Sequence, residues 1–200
     1  MPDAGRVRTY AYWAALAGLA FFAVYPALNR WTAARPDRLH LFVATELEIP
    51  FVPQFIWAYL SMYLVFLLPL FLLPAARMPA LGKQLLAGTL VCGVLFALLP
   101  ADLGFQRVIP ADPVYAPIYA AIFGIDRPHN LVPSLHVTWS AAIIGACADV
   151  AGPVPRVLLY AGLAVIASST VLVHQHHLLD LAAAALLVLF LRRLFKAPDA

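Results

Sequence analysis

Long apolar stretches, separated by short polar segments, run through most of this chain. A helix needs roughly 20 apolar residues to cross a bilayer. On that criterion the 200-residue sequence predicts six membrane-spanning helices, at residues 10–28, 49–73, 84–100, 131–148, 157–173 and 178–195. We therefore expect an all-α, polytopic membrane protein in which residues 1–200 form a single integral membrane domain.

The composition indicates that lipid is the solvent of this chain. Hydrophobic residues make up 64% of the sequence and charged residues only 12%, which is far from the composition of a soluble globular domain. The net charge is only +3 and no run of Lys and Arg with interleaved aromatic residues is present, so nucleic acid is not an expected partner. Cys92 and Cys147 lie inside apolar stretches and form neither a metal-binding spacing nor a disulfide framework.

The polar residues indicate how the chain is oriented. With the N-terminus in the cytoplasm, eight of the 13 Lys and Arg residues fall on the cytoplasmic side, namely Arg6, Arg8, Arg77, Lys83, Arg156, Arg192, Arg193 and Lys196. The six histidines all fall on the opposite side: His40, His129, His136, His174, His176 and His177. We therefore expect one polar site on the extracytoplasmic face, which in a bacterium is the outer face of the inner membrane. The segments 29–48 and 101–130 would cover it, with a short interfacial helix at 115–125.

The segment Pro133-Ser134-Leu135-His136 precedes the fourth predicted span. Proline is favoured at the first position of a helix, and the free N–H groups that follow it form a natural seat for a phosphate. Ser134 adds a hydroxyl, and His136 is close enough to exchange a proton with a bound oxygen. The alternative is an ordinary helix start with a histidine in the core.

His176 and Asp180 are four residues apart at the start of the sixth predicted span, so on a helix their side chains share one face. A carboxylate there accepts the Nδ1–H of the imidazole and leaves Nε2 free to attack an electrophile. A purely structural His–Asp bond is the alternative. Charged and polar groups inside a membrane protein are functional candidates, which favours catalysis.

A third interpretation assigns the histidines to metal binding or transport. His174, His176 and His177, with Asp180 nearby, offer enough nitrogen and oxygen ligands for zinc or copper. The histidines gather at one face instead of running through the spans, as a conducting pathway would need. Glu46 and Glu48 are interpreted as interface residues where the second span begins.

Together these motifs resemble the type 2 phosphatidic acid phosphatase superfamily, whose three motifs are Lys-x6-Arg-Pro, Pro-Ser-Gly-His and Ser-Arg-x5-His-x3-Asp. The first survives as Arg127-Pro128, the second reads Pro133-Ser134-Leu135-His136, and the third reads Ser169-Thr170, five residues, His176, three residues, Asp180. The likeness implies a six-helix bundle whose motif-bearing half is residues 101–196, and an enzyme that uses no metal and no cofactor.

The resemblance also implies the role of each site residue. His176 would be the nucleophile that forms a phosphohistidine, Asp180 would orient it, and His136 would protonate the leaving alkoxide and then activate the acceptor. Four residues would hold the phosphate oxygens: Arg127, Ser134, Asn130 and Ser169. The substrate would be a lipid phosphate or a phospholipid within the membrane.

Three departures from the motifs bear on the substrate. Ala120 stands where the family has its lysine, Thr170 replaces the arginine of the third motif, and Leu135 replaces the glycine of the second. Two fixed positive charges are therefore missing, which favours a phosphodiester over a more highly charged monoester. The pattern looks most like the inositol phosphorylceramide synthase branch. With water as acceptor the enzyme is a phosphatase, and with an alcohol such as inositol it is a head-group transferase; the sequence leaves both open.

Overall fold

Helices form the framework of the computed structural model, which describes residues 2–197. Over that range the α-helices are α1 (Ala4–Ala33), α2 (Ile56–Leu60), α3 (Met62–Val65), α4 (Leu68–Leu72), α5 (Met78–Leu98), α6 (Ala116–Ile125), α7 (Leu135–Val150), α8 (Pro153–Leu172) and α9 (Leu178–Leu194). Short 3-10 helices at Ala44–Glu48, Pro53–Phe55 and Ala75–Arg77 complete the regular structure, beside one isolated bridge between Leu39 and Ala101. The all-α prediction is confirmed for this part of the chain.

Three helices in the described range are long and apolar enough to cross a membrane: Ala4–Ala33, Ala75–Leu98 and Pro153–Leu172. They lie at the first, third and fifth predicted spans and are consistent with a membrane protein. Helices α7 and α9, at the fourth and sixth predicted spans, have 16 and 17 residues and fall short of the roughly 20 needed.

The second predicted span is not one helix, and that prediction is wrong. Residues 49–73 instead contain α2, α3 and α4, which are separated by turns. The Ser61 hydroxyl donates to the Ala58 carbonyl oxygen at 2.6 Å, a local bond that competes with the regular helical ladder. Pro69 has no N–H to donate and lies in the first turn of α4, which is where proline is tolerated. The apolar run therefore folds as three short pieces.

Helix α7 lies at the centre of the bundle, against α5, α8 and α9, while α1 lies along α5. Ile143 and Cys147 of α7 are buried in the largest apolar cluster, together with Leu85 of α5 and Val188 of α9. This packing brings the N-termini of α7 and α9 to the same end of the bundle. The Ser134 N–H donates to the Asp180 carbonyl oxygen at 3.1 Å and ties the two helix starts together.

We call this end, which carries the N-termini of α7 and α9, the histidine end. The segments 34–55 and 99–134 lie over it, joined by backbone bonds between Leu39 and its neighbours Pro100 and Asp102. Helix α6 forms at Ala116–Ile125, within the predicted interfacial segment. Its Tyr119 is fully buried against Ile56 and Tyr59 of α2. Helix α2 is thereby held over the histidine end.

Candidate catalytic site at the histidine end

His176 and Asp180 form a buried pair, with Nδ1 of His176 3.0 Å from Oδ2 of Asp180. His176 is 4% exposed and Asp180 1%. Helix α9 begins at Leu178, so His176 precedes the helix instead of lying on it as the spacing suggested. The same carboxylate oxygen accepts the N–H of His177 at 2.9 Å. Asp180 therefore caps its own helix and holds His176 at the same time.

Two further side chains extend this pair into a series. Nδ1 of His136 lies 3.4 Å from Nε2 of His176, and the Tyr59 hydroxyl lies 2.7 Å from Nε2 of His136. His136 is in the first turn of α7, whereas Tyr59 comes from α2. Tyr59 was not identified from the sequence, because nothing in its local pattern distinguishes it from the other interfacial aromatic residues.

The carboxylate at one end of the series determines where the protons lie. An ionised carboxylate only accepts, so a neutral His176 ring carries its proton on Nδ1 and leaves Nε2 bare. That bare nitrogen accepts from Nδ1–H of His136. If His136 is neutral, its Nε2 is also bare and accepts from the Tyr59 hydroxyl. The 3.4 Å contact is long for a hydrogen bond, so the lone pair on His176 Nε2 is only weakly engaged.

His177 belongs to a different arrangement. Its Nδ1 lies 3.2 Å from Oε2 of Glu46 and its Nε2 lies 2.5 Å from the Leu103 carbonyl oxygen. The rings of Phe105 and Phe42 stack on it, with centroids 4.5 Å and 4.6 Å away. His177 therefore anchors the two covering segments to the start of α9.

Glu46 is buried, and the interpretation of this residue as an interface group is wrong. Its Oε2 accepts from the Leu178 N–H at 2.8 Å as well as from His177, and its Oε1 accepts from the Val43 N–H at 3.1 Å. Burial disfavours the carboxylate, but these donors outweigh it and hold the pKa of Glu46 below its usual value. Glu46 is 131 residues from His177, so no local spacing indicates the pair.

The remaining histidines fix loops. Nε2 of His174 lies 2.9 Å from the Ile49 carbonyl oxygen, and its ring stacks on Phe105 at 4.0 Å. Nδ1 of His129 lies 3.2 Å from the Ala101 carbonyl oxygen. Within residues 2–197, no three His, Cys, Asp or Glu side chains are grouped so that they would hold a metal ion.

The start of α7 retains an anion-binding character, although its details differ from the prediction. Ser134 is the N-cap and accepts the Val137 N–H on its hydroxyl oxygen at 3.3 Å, so Pro133 precedes the cap and is not the first helical residue. The N–H groups of Leu135 and His136 form no hydrogen bond to the described residues. These two donors lie at the positive end of the helix dipole, at the histidine end.

The other predicted phosphate ligands are placed unequally. The Ser169 hydroxyl donates to the Ile166 carbonyl oxygen at 2.6 Å, inside α8. Asn130 is buried and accepts the Thr32 hydroxyl at 2.8 Å, while its Nδ2 has no partner within residues 2–197. Arg127 is exposed, and its side chain forms no hydrogen bond or ion pair in the described structure. Of the four residues, Asn130 alone offers a buried, unused donor.

Arg107 is a cation of the site that the sequence did not reveal. It donates from Nη1 to the Asp126 carbonyl oxygen at 2.5 Å and from Nη2 to Oε1 of Gln175 at 3.3 Å. Gln175 directly precedes His176. Asp126 in turn accepts from the Tyr25 hydroxyl at 2.7 Å and from Nδ2 of Asn29 at 3.1 Å. Burial raises the pKa of the Asp126 carboxyl and lowers the pKa of Arg107.

Two cavities lie at the opposite end of the bundle. One is lined by Arg77, Gln84, Asp149 and Arg192, and the other by apolar residues such as Leu72 and Leu158. They are remote from the N-termini of α7 and α9, and the charged contact in the first cavity is the ion pair of Arg192 with Asp149.

No protein-family model, curated protein or solved structure matches this chain. The site consists of a buried carboxylate–imidazole pair, a second imidazole and a phenol in hydrogen-bonded series, beside a half-buried arginine.

Proposed function

We propose that the protein is a multi-pass integral membrane enzyme, a metal-independent lipid phosphatase or phosphotransferase that acts through a phosphohistidine at His176. The observation that carries this proposal is the series from Tyr59 through His136 and His176 to Asp180. An imidazole oriented by a carboxylate and facing a second imidazole has the components of nucleophilic catalysis with a separate proton donor.

In the first half-reaction, the lone pair of His176 Nε2 attacks phosphorus and displaces the long contact to His136. The P–N bond forms as the P–O bond to the leaving group breaks, and the leaving alkoxide takes the Nδ1 proton of doubly protonated His136. His136 is then neutral, with its remaining proton on Nε2 and donated to the Tyr59 oxygen. The bond from His176 Nδ1–H to Asp180 stabilises the positive charge that develops on the nucleophile's ring.

In the second half-reaction, the acceptor hydroxyl gives its proton to Nδ1 of His136 while its oxygen attacks phosphorus. The P–N bond breaks, and both histidines return to their starting protonation states. The same residue thus serves as acid and then as base. The free N–H groups of Leu135 and His136 supply donors for phosphoryl oxygens at the start of α7.

The proposed membrane arrangement has six crossings, with both termini in the cytoplasm and the histidine end in the extracytoplasmic leaflet. Two observations support it: the excess of Lys and Arg on the side of the membrane that would carry the N-terminus, and the three long apolar helices. The composite of α2, α3 and α4, together with α7 and α9, would make the remaining crossings. A site at this end lies at head-group depth, which favours a lipid phosphate or a phospholipid that enters from the bilayer.

The leaving group is diacylglycerol for both a phosphomonoester and a phosphodiester lipid, so its release is the quantity to measure. Full-length protein in proteoliposomes should release diacylglycerol, and His176→Ala should abolish release while remaining folded. His40→Ala is the matched control, because the ring of His40 is exposed. Release that depends on an added alcohol identifies a transferase, and release from a phosphomonoester in its absence, together with orthophosphate, identifies a phosphatase. Activity that persists in His176→Ala, or folded wild-type protein that acts on no lipid with or without an alcohol, would refute the proposal.

A further inference from the structure

We propose that Arg107 binds the phosphate anion of the substrate and that the charge around it selects a singly charged phosphodiester over a monoester. The proposal rests on the function proposed above, since it concerns the same site. It assigns the anion-binding role to a residue of the covering segment 99–134, outside the motifs around His136 and His176.

The guanidinium of Arg107 is held against Gln175, the residue before the nucleophile, and keeps an unused donor. Its two terminal nitrogens bond to the Asp126 carbonyl oxygen and to Gln175, the residue before His176. Its Nε is buried and has no partner within residues 2–197. Burying a donor without an acceptor is unfavourable. An oxygen of a bound anion at this position would remove that cost.

Asn130 provides a second unused donor in the same network. Its Nδ2 is buried and unpartnered, while its Oδ1 is fixed by the Thr32 hydroxyl. Thr32 lies one turn beyond Asn29 of α1, and Asn29 holds the Asp126 carboxylate. Nε of Arg107 and Nδ2 of Asn130 are therefore both unused donors near the segment 126–130, where no buried side-chain acceptor of residues 2–197 lacks a partner. A ligand rich in acceptor oxygens, such as a phosphate group, satisfies such a pair.

Phe123 orients the guanidinium from another side. The Arg107 Cζ lies 4.8 Å from the centroid of the Phe123 ring, a cation–π contact made by the last turns of α6. The planar fork of arginine is thereby held by three neighbours, so little rotamer freedom remains to be lost when an anion binds. This is the preorganisation expected of a ligand-binding arginine.

The neighbouring carboxylate explains the selectivity. The Asp126 carboxylate is held by Tyr25 and Asn29, close enough to Arg107 to offset its positive charge. The other nearby carboxylate, Asp180, is already engaged with His176. The local charge available to a ligand is therefore small. A phosphomonoester carries about 1.5 to 2 negative charges near pH 7, whereas a phosphodiester carries one. The monoester consequently meets more repulsion from Asp126 when it binds to the same arginine.

The test uses full-length protein and two readouts, one of which needs no catalysis. The first is the KM for phosphatidic acid, a monoester, and for phosphatidylglycerol, a diester. The second is the thermal shift that orthophosphate produces in the detergent-solubilised protein. Arg107→Gln should raise both KM values by about 10- to 100-fold, as expected for losing a hydrogen bond to a charged group, and should abolish the orthophosphate shift. Arg107→Lys keeps the charge but loses the fork, and should give an intermediate defect.

Matched variants distinguish anion binding by Arg107 from a purely structural role in holding the covering segment. Arg35→Gln, which removes a surface arginine paired with Asp37, should leave both readouts unchanged. Asp126→Asn should raise the preference for the monoester, because it removes the opposing charge. If Arg107→Gln is folded and keeps the orthophosphate shift and both KM values, or if Arg127→Gln loses them instead, the assignment is wrong. A wild-type protein that shows the orthophosphate shift but cleaves no lipid would refute the proposed function and leave the anion site standing.

Discussion

The Tyr59 hydroxyl lies 2.7 Å from Nε2 of His136, although the two residues are 77 positions apart in the chain. A phenol both donates and accepts a hydrogen bond. In the proposed cycle Nε2 of His136 keeps its proton in both the neutral and the doubly protonated state, and the Tyr59 oxygen accepts a hydrogen bond from it in each. Tyr59 therefore keeps the ring in place through both half-reactions.

Removing this hydroxyl should slow the reaction without weakening substrate binding. In Tyr59→Phe we expect kcat to fall by about 10- to 100-fold, since a lost bond to a buried polar atom costs about 1–3 kcal/mol, while KM changes little. Rates of diacylglycerol release provide the measurement. Tyr63→Phe is the control, because Tyr63 is exposed and its hydroxyl makes no bond in the described structure. Equal kcat values for the two variants would show that Tyr59 only packs against His136.

Asp180→Asn should separate the charge of this side chain from its role in folding. One oxygen of Asp180 accepts from both the His177 N–H and Nδ1 of His176, so an amide oxygen in its place can keep both bonds and the start of α9 should survive. The negative charge that stabilises the positive charge developing on the His176 ring is lost. We expect kcat to fall by more than about 10-fold, as for the loss of a hydrogen bond to a charged group. The helical circular dichroism signal should stay at the wild-type level. A variant that retains a tenth or more of the activity would contradict this role.

The pair of Glu46 and His177 should make the fold sensitive to acid. The pKa of Glu46 is held below its usual value, so its contribution to stability is fully present above the unfolded pKa of about 4.3 and is lost as pH falls through the folded pKa. Melting temperatures of the wild type should therefore drop below about pH 4. Glu46→Gln should melt lower at neutral pH and lose part of this acid dependence. Parallel melting curves for the two proteins at every pH would show that the carboxylate is not ionised in the fold.

The sequence predicted contacts that depend on local spacing and missed those that depend on packing. His176 and Asp180 are four residues apart, so their short separation along the chain is enough to bring them together. Arg107 and Gln175 are 68 residues apart, and Glu46 and His177 are 131, so only the packed helices define these pairs. The second span was mispredicted because its apolar composition outweighed Pro69, which has no N–H to continue the helical ladder and lies at the start of a separate helix.

Glycine at position 82 should be required for the close packing of α1 on α5. A Cβ at that position would lie 2.2 Å from Cε3 of Trp13, a contact that forces the indole or the helix to move. We expect Gly82→Ala to destabilise the protein by about 1–3 kcal/mol, as overpacking of a core does. Gly162→Ala in α8 is the matched control, since no atom lies within 4 Å of its Cβ, and replacing a helical glycine there should stabilise by about 0.5–1 kcal/mol. Thermal unfolding of both variants in the same detergent makes the comparison. A Gly82→Ala protein as stable as Gly162→Ala would mean that α1 does not pack on α5 as closely as the structure shows.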